Sequence, residues 1–206
     1  MTRFGPLLAA TAALAVVLTA CDPGDDPQPN YSSVTPTASA STSSSPTASP
    51  SPSVPTTGPN ISPGEVAPTL PTIAEADSAD AAQAFEGYYV RMIDWTYATS
   101  DPSILTPFYS DGCENCSNLQ KNLNAQLQGG KTYRGSRFTI DRLALVDNDG
   151  RSGADFAISV EVSISALEIL NAAGQVSDSA PASRLTLTNW LDWNGSKWLI
   201  VDQGKA

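Results

Sequence analysis

Residues 156–164 read FAISVEVSI. Phe156, Ile158, Val160, Val162 and Ile164 alternate with Ala157, Ser159, Glu161 and Ser163 without a break. A period of two turns the five large apolar side chains to one face, the pattern of a strand lying on a core. Upstream, Phe138 and Ile140 keep one phase while Leu143 and Leu145 take the other, which predicts a bulge near Asp141 and Arg142. DNDGRSG (147–153) reads as the turn between these strands. It is not a calcium loop. With Asp147 and Asp149 as its third and fifth positions, the first and twelfth fall on Leu145 and Phe156, which carry no ligand oxygen. Downstream the phase slips again before Leu167 and Ile169. After NAAGQ (171–175) and a polar stretch come Leu185, Leu187, Asn189 and Leu191. Asn194-Gly195 signals a hairpin, and residues 198–201 form the closing strand.

Before Gly130 the period is helical. Thr72-x-x-Glu75 fits a capping box and Ser78 offers a second N-cap. Phe85, Tyr88, Tyr89, Met92 and Ile93 follow the spacing of one helix face, and Trp95 and Tyr97 widen it. This predicts one long amphipathic helix over residues 75–99. Asp101-Pro102 closes it and opens PSILTPF (102–108) as a short second helix. A third spans 114–128, with Cys116, Leu119, Leu123 and Leu127 on one face and Gly129-Gly130 ending it. Three helices followed by an antiparallel meander make an α+β domain over residues 72–206, the helices packed on a strongly curved sheet. About 130 residues is a normal size for one such domain.

The N-terminal third differs in kind. Arg3 precedes an uncharged, mostly apolar run over 7–20, too short for a permanent membrane span but suited to a signal peptide. The run ends in Leu18-Thr19-Ala20-Cys21, which resembles the lipobox of bacterial lipoproteins. The resemblance implies that residues 1–20 are removed and that Cys21 is acylated. Two or three acyl chains would anchor the protein stably in a membrane. Residues 21–71 then contain TPTASASTSSSPTASPSPSVPTTGP, a Ser/Thr/Pro-rich tract without large apolar residues for a core. It reads as a disordered stalk, with a reach on the order of 150 Å if fully extended.

Of the 206 residues none is histidine, and the net charge is -10. The charge disfavours nucleic acid as a partner. Without histidine there is no Ser-His-Asp or Cys-His catalysis and little means of holding zinc or iron, so no metal and no cofactor are expected.

The order of elements over about residues 75–206 resembles the SnoaL-like, nuclear-transport-factor-like cone fold, with DWNGSKWLIVD (192–202) as its closing hairpin. FEGYYVRMIDWTYATSDPSILTPFYSDGCENC (85–116) resembles a family of uncharacterised actinobacterial lipoproteins that share the anchor, the stalk, the aromatic helix and the paired cysteines. That family brings no activity with it.

Three constellations bear on function. Cys113 and Cys116 follow a short helix and a polar turn, not the strand of a thioredoxin-like unit, and too few further ligands exist for zinc. Outside the cytoplasm they are expected to form a local disulfide, with a thiol-redox role as the alternative. In a cone, Phe85, Tyr88, Tyr89, Met92 and Trp95 would line a pocket for a small apolar ligand. An isomerase- or cyclase-type enzyme would need a carboxylate in that pocket, and Asp94, Asp141, Glu161 and Asp192 are the candidates. None is forced inward by the pattern. The expectation is therefore a non-catalytic, lipid-anchored protein on the outer face of the cytoplasmic membrane. Its domain would bind a small apolar ligand or a protein of the cell envelope.

Overall fold

Ser78 opens the first helix, α1 (Ala79–Thr99), its hydroxyl accepting from the Ala81 N–H at 3.3 Å. The computed structural model describes residues 54–205; Cys21 and the segments expected to be a signal peptide and, up to residue 53, a stalk lie outside the described residues. The capping box expected at Thr72 does not form. Thr72–Glu75 is a single 3-10 turn without a side-chain cap, and Ala76 leaves it in an extended conformation, so α1 begins only at Ala79. Nor is α1 a one-sided amphipathic helix. Between Ala81 and Thr99 only Arg91 is exposed. Thr96 and Thr99 tolerate this burial because their hydroxyls donate to the carbonyls of Met92 and Trp95 within the helix.

Residues 102–108 form the expected short helix, of 3-10 type, with the Asp101 carboxylate accepting from the Ser103 N–H. α2 (Glu114–Gln126) follows, burying Cys116 and Leu123 and half-burying Leu119 and Leu127.

Among the described residues seven strands complete the domain: β1 (Thr132–Gly135), β2 (Phe138–Val146), β3 (Phe156–Ile164), β4 (Leu167–Leu170), β5 (Val176–Ala180), β6 (Ser183–Trp193) and β7 (Trp198–Lys205). The single curved sheet expected from the sequence is in fact two antiparallel sheets, ordered β1-β4-β5 and β2-β3-β6-β7. They meet at a corner where β1 passes into β2 and β3 into β4. Ser136 N–H donates to Ala166 O and Ser165 N–H to Arg137 O, so pairing continues round the bend. Ser136 holds a positive φ of 54° there. Gly135, at φ 80°, lies so close that a Cβ would stand 2.1 Å from Ala166 O. The β2 register jumps between Ile140 and Arg142, where the change of phase placed a bulge. α1 lies on β1, β2 and β3, and α2 on β7.

The domain also begins earlier than residue 72. Part of the segment read as stalk, residues 54–71, is a strap laid over α1. Trp95 Nε1 donates to Pro55 O at 2.8 Å, and Asn60 N–H to Ala98 O at 3.1 Å. The Asn60 side chain exchanges two hydrogen bonds with the Gly135 backbone. Gly58 passes so near that a Cβ would sit 2.4 Å from Thr99 Cα. Glu65 pairs with Arg137, which also grips Asp94 at 2.7 and 2.9 Å. These contacts give a Pro-rich segment the partners its composition alone does not supply.

Candidate functional site

Between α1 and the inner face of β6 and β7 the core stops being apolar. Glu86 is wholly buried, and its Oε1 accepts from Asn189 Nδ2 at 2.7 Å. Asn189 is 1 % exposed and stands directly across the ladder from Gln203, itself buried. Tyr89, one turn along α1 from Glu86, is 0 % exposed. Four atoms of this group have no hydrogen-bond partner among the described residues: Glu86 Oε2, Tyr89 Oη, Asn189 Oδ1 and Gln203 Nε2. An unsatisfied buried polar group costs about 1–3 kcal/mol. Four among the neighbouring side chains of Glu86, Tyr89, Asn189 and Gln203 are a departure from how interiors are built, which makes this group the candidate site.

Local structure explains how they come together. Glu86 and Tyr89 share a side of α1 because residues three apart on a helix are neighbours. Asn189 keeps the inward phase of Leu185, Leu187 and Leu191. Gln203 does not keep the phase of Trp198 and Ile200. The β6–β7 register shifts between Trp190 and Leu191, pairing Leu191 with Ile200 but Trp190 with Asp202. Val201 is the extra residue, and beyond it the parity of β7 is inverted, which brings Gln203 inside.

Burial raises the Glu86 carboxyl to about 8, the hydrogen bond from Asn189 opposing only in part. Glu86 is therefore mostly protonated at neutral pH. Burial also raises Tyr89, with Glu86 and Tyr109 adding to the effect. The group presents hydroxyl and amide donors beside one amide acceptor, within an apolar shell.

The residues expected to line a pocket are divided by the structure. Phe85, Tyr88 and Tyr89 meet Phe108 edge-on, at centroid distances of 6.4, 5.5 and 6.3 Å. The 3-10 helix thus seats a half-buried aromatic plug over this end of α1. Met92 is wholly buried in the main core. Trp95 belongs elsewhere, its indole turned to the strap. Cys113 and Cys116 are joined by a disulfide at the start of α2, 0 % and 1 % exposed.

None of the four carboxylates considered from the sequence joins the group. Asp94 accepts from Arg137 and from the Phe138 N–H. Asp141 accepts from Ser163 on the outer surface, and Glu161 pairs with Arg142. Asp192 is half-buried, raised by that burial and by Asp155. The carboxylate that is buried, Glu86, lies next to Phe85 inside the aromatic stripe, where the sequence reads as part of a core face. Its signal is Asn189, an amide on the inward phase between two leucines.

The site and its frame define an α+β domain of helices on two antiparallel sheets, with a buried polar group beneath the long helix. The chain belongs to a family of unknown function (DUF6318), matched over residues 64–204. None of the curated proteins matches it. Among solved structures it is similar to the intermembrane-space region of the chloroplast protein ARC6, at 13% identity and TM-score 0.44, over 63% of this chain and 97% of that one. It is also similar to a protein of unknown function with a cystatin-like fold from Nostoc punctiforme, at 12% identity and TM-score 0.36, over 63% and 91%. Aln2 from a Streptomyces species matches at 11% identity and TM-score 0.36, over the same shares.

Proposed function

We propose that this is an exported lipoprotein, held by acyl chains on Cys21 at the outer face of the cytoplasmic membrane. In this reading its SnoaL-like, cone-type domain binds a small, mostly apolar ligand without catalysis. The observation that carries the ligand reading is the set of four unpartnered polar atoms under α1. A bound head group would satisfy them while the surrounding aromatic side chains cover its apolar body. Native mass spectrometry of the protein extracted from its own membrane tests this. An added mass that is lost when Gln203 is replaced by methionine is expected; a protein of bare mass throughout refutes it.

The alternative of an isomerase- or cyclase-type enzyme is favoured by a wholly buried Glu86, its carboxyl raised by that burial, one helical turn from Tyr89. The two readings separate at Glu86→Gln, which keeps a hydrogen-bond donor but cannot transfer a proton. Retained ligand binding supports the binding module, whereas a ligand chemically altered only by the wild type supports the enzyme. An envelope partner is favoured by Val66 and Ile73, exposed at 81 % and 55 %. The thiol-redox alternative is weakened by geometry, because a partner thiol has no access to a disulfide between such buried residues.

A further inference from the structure

The hydrogen-bond inventory of the buried group selects among head groups, and the selection rests on the ligand-binding reading above. We infer that the ligand head taken by Glu86, Tyr89, Asn189 and Gln203 is a neutral group that both donates and accepts, of the primary-amide kind, and not a carboxylate or an amine. Glu86 Oε1 is already used by Asn189 Nδ2, so the proton of this carboxyl belongs on the free Oε2, making it a donor. Tyr89 adds a hydroxyl and Gln203 an N–H, while Asn189 Oδ1 is an acceptor that still needs a donor.

An amide meets this demand from both ends. Its carbonyl oxygen has two lone pairs, for Gln203 Nε2 and one hydroxyl. Its N–H2 supplies Asn189 Oδ1, and the second hydrogen faces the oxygen of the remaining hydroxyl, whose own proton is the one donor the head does not take up. A carboxylate has nothing to donate to Asn189 Oδ1. It would also enter without a counter-ion among the described residues: Arg91, the cation of α1, is exposed, Arg137 pairs with Glu65 and Asp94, and Arg151 with Asp149 and Asp202. An amine would take the Glu86 proton and bury an ion pair, whose mutual attraction recovers the desolvation only with excellent geometry. It would also turn its N–H groups toward the donor of Gln203.

The test uses the full chain in detergent and matched probes on one apolar body: benzamide, benzoate and benzylamine, with the cyclohexyl series as a second body. Binding is read by the NMR shifts of the side-chain N–H2 groups of Asn189 and Gln203. Benzamide or cyclohexanecarboxamide should move both resonances and bind at least about tenfold more tightly than its charged counterparts, a difference of about 1.4 kcal/mol. Charged probes that move the same resonances as tightly would overturn the head-group inference and leave the site standing. Resonances unmoved by every probe would overturn the ligand reading and this inference with it. Gln203→Met supplies the control against a purely structural role. Replacing an unsatisfied donor by an apolar side chain of similar length should raise the melting temperature by a few degrees while weakening amide binding at least about tenfold. A lowered melting temperature with amide binding intact would overturn the assignment of Gln203 to the site.

Discussion

Replacing Glu86 by glutamine should change how stability depends on pH more than it changes the fold. The amide so introduced can still accept from Asn189 through its carbonyl oxygen, and its N–H2 stands where the carboxyl proton stood. The side chain of Glu86 is wholly buried and its carboxyl is raised from 4.5 to about 8 by that burial. A carboxylate is more often lowered on folding, so the sign is the reverse of the common case. Between the two values the unfolded chain has lost this proton and the native chain keeps it. Stability must therefore fall as pH rises through the window, by about 1.4 kcal/mol per unit, and level off above the folded value. The accumulated loss is on the order of 3 kcal/mol at neutral pH and on the order of 5 kcal/mol at the plateau. Glu86→Gln loses none of it. Urea unfolding of both proteins at intervals from about pH 5 to about pH 9 measures the difference, and contributions from other groups cancel between them. The variant should nearly match the wild type at the acid end and surpass it increasingly toward the alkaline end. A difference that stays flat across the range would refute the burial of a protonated carboxyl at this position.

Gly58→Ala should drive the strap off α1, because its Cβ would meet backbone atoms of Ala98 and Thr99 that cannot yield; the expected cost is about 1–3 kcal/mol, read as early proteolysis within residues 54–71. Arg137→Met removes the cation shared by Glu65 and Asp94 and should cost about 1–3 kcal/mol. Glu65, lowered chiefly by its hydrogen bond from Arg137, adds stability above its ordinary value that is lost as pH falls below it, and the variant should lack that acid-side loss. Cys113→Ser with Cys116→Ser opens a very short loop and should cost no more than about 2 kcal/mol, whereas a melting temperature lowered far beyond that would show the disulfide organising more than the start of α2. Cys21→Ser should abolish incorporation of a fatty-acid probe and release the protein from the membrane fraction; unchanged labelling would remove the anchor from the reading.

Where a pattern reports side-chain burial directly, the fold is legible. FAISVEVSI states the span of β3, and the change of phase after Ile140 states the β2 bulge. Strands without an apolar face leave no such trace: β5 is exposed along its whole length, and β1 has only four residues. The strap is hidden for a different reason. Its anchorage uses the Pro55 carbonyl, the Asn60 amides and the mere smallness of Gly58, and a Ser/Thr/Pro composition masks all three. The site divides in the same way. Asn189 is visible as a polar residue on an inward phase. Glu86 is masked by the assumption that α1 has a wet side, which the strap, the sheet and Phe108 leave only to Arg91. Gln203 is beyond reach, because counting by twos from Trp198 sends it outward.

Val201 gives β7 one letter of slack, and that letter decides which of two consecutive residues is sealed in with Glu86. Were the ladder to run on from Ile200 at the same length without that bulge, Asp202 would stand opposite Asn189 in place of Gln203, setting two acids side by side in the interior and taking from Arg151 an acidic neighbour on the outer face. Loss of Val201 itself would leave Gln203 opposite Asn189, in plain alternation with Trp198 and Ile200. A backbone irregularity in β7 is thus as much a determinant of this site as the identity of its side chains.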